Sequence, residues 1–564
     1  MSKKVFYDDD ARRRVLAGAK ILYDAVRMTL GPKGRNVVIG KSYGNPTVTH
    51  DGVTVAKGVE LEDVDDETLG YKVGAELIKQ AASKMNDMAG DGTTTVTVLT
   101  YHILYEANKL IAAGHNPMQL RKGLEAAGQQ VIAKLDSLAE DIQGKKSRVA
   151  EVATISAGDP EIGDKIADVM DKIGKDGVVT VEEGQGLALE SEIVEGFTFD
   201  RGFVSAYMVT DTTRMEAVYN KPAIIVTDKK ISSIQEIAPI LDKVTQAGKK
   251  ELVIIAEDVD GDALTMLVIN RLKGALNSVA VKAPSFGDRR KDILSDIAIL
   301  TGATVISEEQ GFNFENAELA MVGSARKVIV TKDETTIIEG AGTAAAVQSR
   351  IKEINAQIQA TTSDYDKKEL EKRRASLNGK VAVIKVGGAT ETEIEEKKYR
   401  VDDAVAAVKA ALDEGIVPGG GVTLINLGTL LVDDLLKNLK TESGKRMTPT
   451  EVAASYPAEQ ILVNALTQPF VQLIANAGEE PAVFLGKIFE AKKLGLGYDV
   501  NDLRGEPIDV MKKGIVDPAR VTKEAILNAV SIAGTAMTMG ALVVEVPKEE
   551  KASPSPDMGG MGMM

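Results

Sequence analysis

The sequence has no cysteine and no tryptophan, and among its 564 residues there are only three histidines, ten phenylalanines and twelve tyrosines. Without cysteine there can be no disulfide, zinc–thiolate site, iron–sulfur cluster or thiol chemistry, which suits a reducing compartment. His50, His102 and His115 are too few and too scattered for a metal cluster, and they read as structural or surface residues. With so few aromatics, cores must be built from Ala, Val, Ile and Leu. No run approaches the ~18 uninterrupted apolar residues of a membrane span. The N-terminus has no signal-peptide core, and Asp8 to Asp10 sit among Lys3, Lys4 and Arg12 to Arg14, whereas transit peptides are poor in acids. The expectation is a cytoplasmic protein without a membrane partner. Basic side chains number 68 against 83 acidic ones, a net charge of -15 that opposes attraction to nucleic acid. The Walker pattern Gly-x4-Gly-Lys-Ser/Thr is also missing.

What is present is enough chain for roughly three or four domain-sized units. Val15, Ala19, Leu22 and Val26 recur at helical spacing until Gly31-Pro32 stops them. Short β-like runs follow at Asn36 to Ile39 and Thr47 to His50, with a turn at Gly44-Asn45-Pro46 between them and another at Asp51-Gly52 after them. Helical spacing resumes at Leu69, Val73, Leu77 and Met85 and continues from Thr93 to Ile111 and from Pro117 to Leu138. Near Ala150 the texture changes to short β-branched runs: Gly177 to Val181, Ile224 to Thr227, Leu252 to Ala256, Val279 to Val281, Ala303 to Ile306 and Lys327 to Thr331. Helix-length segments such as Ser233 to Ala247, Asp262 to Leu276 and Arg289 to Leu300 alternate with them, so the middle reads as α/β. One long polar helix, Ala344 to Ala375, leads to a strand at Val381 to Val386, and from Val401 the pattern is again helical. The economical arrangement makes the two helical ends one discontinuous domain, with the middle inserted through a small connecting module. Lys548 to Met564, rich in Ser-Pro and Gly-Met, cannot bury a core and is expected to be disordered.

The stretch that carries chemistry is Gly90-Asp91-Gly92-Thr93-Thr94-Thr95. Its glycines permit a sharp turn, and its threonines place hydroxyls and free N–H groups at a helix start, where an anion is favoured. Asp91 supplies one hard oxygen ligand of the kind that shares Mg²⁺ with substrate phosphates. Read alone, the motif fits an ordinary N-capped helix start better than a Mg-nucleotide site. Asp402 and Asp403 likewise read as first-turn acids of the helix that bears Val405, Val408 and Leu412.

Four motifs in unchanged order alter this balance. Thr29-Leu30-Gly31-Pro32-Lys33-Gly34-Arg35-Asn36, the Gly90 motif, Lys282-Ala283-Pro284-Ser285-Phe286-Gly287-Asp288-Arg289-Arg290, and Glu414-Gly415 through Gly419-Gly420-Gly421 resemble the bacterial group I chaperonins of the GroEL type, over essentially the whole chain. The resemblance implies a multidomain α and α/β chaperonin fold. Residues 1–137 and 414–546 would form a mainly α equatorial ATPase domain, 138–194 and 382–413 a small intermediate α/β domain, 195–381 an α/β apical domain, and 547–564 a Gly/Met tail. It implies an ATP-driven folding chaperone, a homo-oligomer of heptameric rings stacked in pairs, closed by a GroES-like co-chaperonin lid over unfolded client proteins.

The same resemblance implies the site residues. Asp51 and Asp403 would orient and activate the attacking water. Thr29, Leu30, Gly31, Pro32, His50, Asp91, Gly92, Thr93, Thr94, Thr95 and Gly420 would line the nucleotide, with Asp499 and Ile515 at the base and Asp517 at the ribose. Asp91 would hold Mg²⁺, and the main-chain carbonyls of Thr29 and His50 would hold K⁺. Phe203, Tyr207, Met208, Ala238, Leu241, Leu264, Val268, Ile269 and Asn270 would bind clients and the lid. Arg201 and Glu391 would form a switching ion pair. Several positions depart from the family: His50 stands where Lys is usual, Asp499 where Asn is usual, Ala238 replaces a larger residue, and Val471 replaces the arginine that would face Glu480 across two rings. The rivals are a small-molecule phosphoryl-transfer enzyme, for which no acceptor pocket is evident, and an ATP-independent holdase, against which the intact acids speak.

Overall fold

The computed structural model describes residues 3–40, 46–175, 177–184, 186–212, 214–361, 363–438 and 448–546. The expected disorder of the tail, and Gly44 and Asn45 of the first hairpin turn, lie outside these residues. The chain forms two compact units: residues 1–168 with 389–564, and residues 169–388.

In the discontinuous unit one helix, Thr93–Ala112, is buried on nearly every side, from Val96 through Leu99 and Ile103 to Ala107. Around it Leu22, Ile78, Leu124 and Leu135 from the first segment share a core with Leu427, Ile461, Leu466 and Ile526 from the second. Each such side chain stabilises the unit by ~1.5 to 3 kcal/mol, so neither end of the chain has a complete core alone. Close approach is allowed by small residues. A Cβ on Gly74 would fall 1.9 Å from the Val15 carbonyl, so the helices Asp8–Val26 and Tyr71–Ala89 meet nearly backbone to backbone. The two ends are also joined as a ladder, Lys3–Tyr7 antiparallel to Ala541–Glu545.

The inserted unit is built on a mixed sheet that has nine strands among the described residues. Asn277–Lys282, Glu251–Ala256 and Ala223–Val226 run parallel at one side, and the long strands Gly323–Val330, Thr335–Gly340, Glu190–Phe199 and Lys380–Val386 pair antiparallel through its middle. The sequence reading placed a strand at Ala303 to Ile306. The structure gives only a single bridge between Ile306 and Thr227, because the Ala303 and Thr304 N–H groups are taken by Ala298 and Met321 carbonyls. The long helix expected over Ala344 to Ala375 is two helices, Ala344–Ala360 and Asp364–Leu377. Thr361 turns extended, with ψ 139°, and the Ser363 hydroxyl caps the second helix by accepting the Asp366 N–H at 3.3 Å. Hydroxyl side chains compete for backbone groups in this way and favour caps over helix interiors.

These two helices are fastened to the helix Gly287–Thr301 through Asp296, which is 1% exposed. One carboxylate oxygen accepts from Arg350 Nε at 2.7 Å and the other from Arg373 Nε at 2.8 Å. Removing Asp296 leaves two guanidiniums in low dielectric without their main counter-charge. Asp296→Ala is therefore expected to destabilise the inserted unit by ~3 to 5 kcal/mol in urea unfolding; a loss under ~1 kcal/mol would show that solvent and Asp292, which also pairs with both arginines, suffice.

Candidate functional site

The described residues bring the predicted phosphate motif and three separate acids together. Gly90 and Gly92 adopt φ of 68° and 80°, values that favour glycine, and deliver the chain into the Thr93–Ala112 helix. A Cβ on Gly90 would lie 2.3 Å from Ala406, so the loop presses on the helix Glu391–Glu414 close to Asp403. The sequence suggests a turn at Asp51 after a strand. Asp51 is instead the N-cap of a short helix, Gly52–Gly58, accepting from the N–H groups of Val53 at 3.1 Å and Thr54 at 2.9 Å and from the Thr54 hydroxyl at 2.6 Å. A side chain on Gly52 would collide with the Thr94 and Thr93 hydroxyls, at 2.3 and 2.9 Å. Asp51 and the threonines therefore share one wall.

Thr29 joins this wall through its hydroxyl, 3.0 Å from that of Thr94. Its loop continues through Leu30 and the left-handed Gly31 to the exposed Pro32. Asn476 anchors the loop by donating its amide to the Arg27 and Leu30 carbonyls, each at 3.0 Å. His50 packs on the same loop: a Cβ on Gly34 would meet its ring at 2.8 Å, and the ring bonds the Gly31 backbone. Burial and the nearby Arg400 lower the His50 pKa, so the imidazole is neutral at pH 7 where a lysine would be charged.

The second chain segment contributes a glycine corner. Ile416–Pro418 pairs antiparallel with Val516–Pro518, setting Val417 opposite Asp517, and a Cβ on Gly419 would lie 3.0 Å from the Asp517 carboxylate. Gly420 has φ 65°, with Ile515 as its nearest neighbour. Thus Gly420, Ile515 and Asp517 cluster. Asp499 lies in a separate turn bridged to Asp502, its carboxylate accepting the Asn501 N–H at 2.9 Å.

Charge is the dominant feature of the site. Burial pushes Asp403 well above the ordinary carboxylate range, and Asp51, Asp91 and Asp402 push the same way. Asp91 is also raised, first by burial, although the Gly92 N–H at 2.5 Å and the Ser156 hydroxyl at 3.0 Å partly stabilise its anion. Burial and Asp91 push Asp517 up to about 7. Among the described residues no three His, Cys, Asp or Glu side chains are arranged to hold a metal by themselves. A hard cation would therefore find one carboxylate, Asp91, and need its remaining oxygens from a ligand such as a polyphosphate, which is the usual sharing for Mg²⁺. The donor set fits that chemistry. Ser156 and Asn476 were not singled out from sequence. Each acts from a helix far away in the chain, and no local pattern marks them.

In the inserted unit the helix Gly261–Leu272 buries only Ala263 and Leu267. Leu264, Val268, Ile269 and Asn270 are half-buried, and Leu272 is exposed. Leu264 and Val268 pack against the edge of the unit's core, so the apolar circumference of the helix is buried in part only. Tyr207 is exposed, while Phe203 and Ala238 are half-buried. Two members of the expected client surface lie in the core instead. Met208 is wholly enclosed, its sulfur accepting the Ala280 N–H at 3.2 Å, and Leu241 is 8% exposed on the inner side of Ile234–Gln246. Arg201 donates to the Asp200 carbonyl at 3.0 Å within the inserted unit, and Glu391 opens a helix of the other unit. Val471 is half-buried, and Glu480 is exposed just before the helix Pro481–Ala491.

Comparison with known proteins points to one family. Residues 22–547 match the TCP-1/cpn60 chaperonin family. Among solved structures, the fold is similar to the chaperonin gp146 from the bacteriophage EL 2 (Pseudomonas aeruginosa), determined in the presence of ATP-BeFx. That likeness has a TM-score of 0.64 at 19% identity and covers 96% of this chain and 99% of the phage protein.

The crowded acids imply a pH dependence of unusual sign. A carboxylate whose folded pKa lies above its unfolded value binds more protons folded than unfolded, so its contribution to stability falls as pH rises between the two values. For Asp517 that window runs from the unfolded 3.8 to about 7. The ligand-free protein is expected to melt at a lower temperature at pH 7.5 than at pH 5, and Asp517→Asn should reduce the difference. An equal difference in the variant would contradict the burial of this charge.

Proposed function

Because the chain belongs to the TCP-1/cpn60 chaperonin family, we propose that it is an ATP-driven chaperonin that binds non-native polypeptides and uses nucleotide hydrolysis to promote their folding, an ATPase of the protein-folding isomerase class. The observation that carries this reading is the meeting of Asp51, Asp91 and Asp403 at a Gly-Thr helix start assembled from both ends of the chain. The phage chaperonin solved with ATP-BeFx supports the choice of nucleotide.

Phosphoryl transfer needs charge neutralisation and a placed water more than covalent chemistry. Thr93, Thr94 and Thr95, with the N–H groups of their helix start, would cradle phosphate oxygens. Thr29, Leu30, Gly31 and Pro32 would close over them, while Gly420, Ile515 and Asp499 take the base and Asp517 the ribose. Asp91 would hold Mg²⁺, which when bound offsets the charge of the phosphates and of the acids around it. The Thr29 and His50 carbonyls would hold K⁺, a contact that the change from lysine to His50 does not remove. Asp403 would accept the proton of the attacking water, and Asp51, fixed by its helix cap, would orient that water.

Clients would lie on the outward face of Gly261–Leu272, at Leu264, Val268, Ile269 and Asn270, together with Phe203, Tyr207 and Ala238. The buried Met208 and Leu241 support this surface from beneath. A GroES-like lid would compete for the same face. The domains would be equatorial, intermediate and apical as the resemblance implies, with Arg201 and Glu391 pairing in one state of the cycle. Assembly would be a heptameric ring, stacked in pairs without the acid–arginine contact because Val471 replaces the arginine opposite Glu480. The setting would be the cytoplasm, including the response to stress.

Two experiments test the reading. Asp403→Ala should leave nucleotide affinity nearly unchanged but slow hydrolysis by ~100-fold or more, whereas Asp91→Ala should weaken Mg-ATP binding itself. Near-normal turnover and affinity in both variants would refute the assignment. Val268→Glu should abolish retention of an unfolded protein while ATP turnover persists. An insoluble Val268→Glu would instead place Val268 in the core, where an unpaired carboxylate is costly.

A further inference from the structure

Tyr207 is 72% exposed on a single helical turn, Ala206–Met208, a weak support for a large side chain that must hold one position. The turn is fastened from three sides. Ser205 caps it, accepting the Tyr207 N–H at 3.3 Å, and Met208 plugs into the core under the strand Asn277–Lys282. The third fastening is Arg271 in the last turn of Gly261–Leu272, whose guanidinium donates to the Tyr207 carbonyl at 2.7 Å and to the Val209 carbonyl beyond it. One planar fork thus spans two carbonyls on either side of Met208, a geometry that a point-charge ammonium cannot reproduce.

Arg271 has no carboxylate partner within ion-pair distance among the described residues. Its guanidinium lies beside the buried hydroxyl of Tyr219, a neutral partner, and its Nε is buried. Burial pushes the Tyr219 phenol up to about 12, so it stays neutral and supplies no counter-charge to the guanidinium beside it. An arginine placed only for stability would be expected to neutralise an acid. Here the cation faces uncharged groups, and its bonds go to the backbone that carries Tyr207.

On the reading above, in which the outward face of Gly261–Leu272 binds clients, we infer that Arg271 is a positioning residue: it locks the Tyr207 turn to that helix so that Tyr207, Val268 and Ile269 present one continuous apolar surface to the client. Without the lock, each binding event must also order the turn, and affinity falls by that cost.

The test uses the full chain and reduced, carboxymethylated α-lactalbumin as a client that cannot fold. Arg271→Met should weaken its binding about fivefold to tenfold, with Arg271→Lys in between. In a Tyr207→Ala background, Arg271→Met should cause no further loss, because its effect runs through the tyrosine. Amide exchange should quicken at residues 206–209 in Arg271→Lys while the Glu251–Ala256 strand keeps its protection, a readout that holds if Arg271→Met fails to fold. Unchanged client affinity in Arg271→Met, equal losses in both backgrounds, or unchanged exchange at 206–209 would each overturn the inference. The parent reading fails separately: normal client binding by Val268→Glu would remove the surface itself, whereas loss there with Arg271→Met unaffected would overturn only the role of Arg271.

Discussion

Like charges gathered in one half-buried cluster are the constraint on which the discontinuous unit depends. Asp51, Asp91, Asp403 and Asp517 come from four separate places in the chain; Asp51 raises the proton affinity of Asp91 and Asp403, and Asp91 that of Asp403 and Asp517. Folding brings them together only because the helices that carry them share one apolar core around Thr93–Ala112. Hydrophobic burial thus forces an electrostatic arrangement that is unfavourable by itself, and strain of this kind concentrates at functional sites. Protons can relieve it partly at low pH. A divalent cation bound with a polyphosphate would relieve it better, because it would bring positive charge to Asp91 and anionic oxygens to the threonine N–H groups. In this account the folded unit is a receptor short of positive charge.

Much of this was legible in the sequence where the signal was periodic or glycine-marked. The helix Pro117–Leu138 has the limits its spacing suggested, and Thr93–Ala112 differs from expectation by one residue at its end. The Gly90-Asp91-Gly92 turn is left-handed at both glycines, as a loop leading tightly into a helix needs. Strands were harder. Glu190–Phe199 and Thr335–Gly340 carry charges and threonines through the middle of the sheet and show no clean alternation, and they passed unnoticed. The helices Lys146–Ala157 and Pro160–Ile173 lie where the texture was read as turning to α/β.

The site itself was legible through the motifs and through family likeness, far less through local physics. Asp51 illustrates the limit. Asp-Gly looks like a turn, and only the structure reveals the short helix that follows, with Thr54 completing the cap. Ser156 is invisible for a different reason: its role comes from tertiary proximity to Asp91 across 65 positions. On the inserted unit the apolar circumference of Gly261–Leu272 exceeds the two residues that the helix fully buries, Ala263 and Leu267, but composition could not tell which neighbours pack on the rest. Met208 and Leu241 are as apolar as Val268 and lie in the core, because Met208 follows a capped turn that drives it inward and Leu241 lies on the buried stripe of an amphipathic helix.

If the acids are the organising feature, nucleotide and divalent cation must stabilise the protein together and hardly at all apart, since only the pair satisfies both the carboxylates and the N–H groups of the threonine wall. The direct measurement is the melting temperature of the full chain at pH 7.5 with ADP alone, with Mg²⁺ alone, and with both. The account predicts a clear rise with both ligands and little change with either one. An equal rise with ADP in the presence of a chelator, or no rise with the pair, would contradict it.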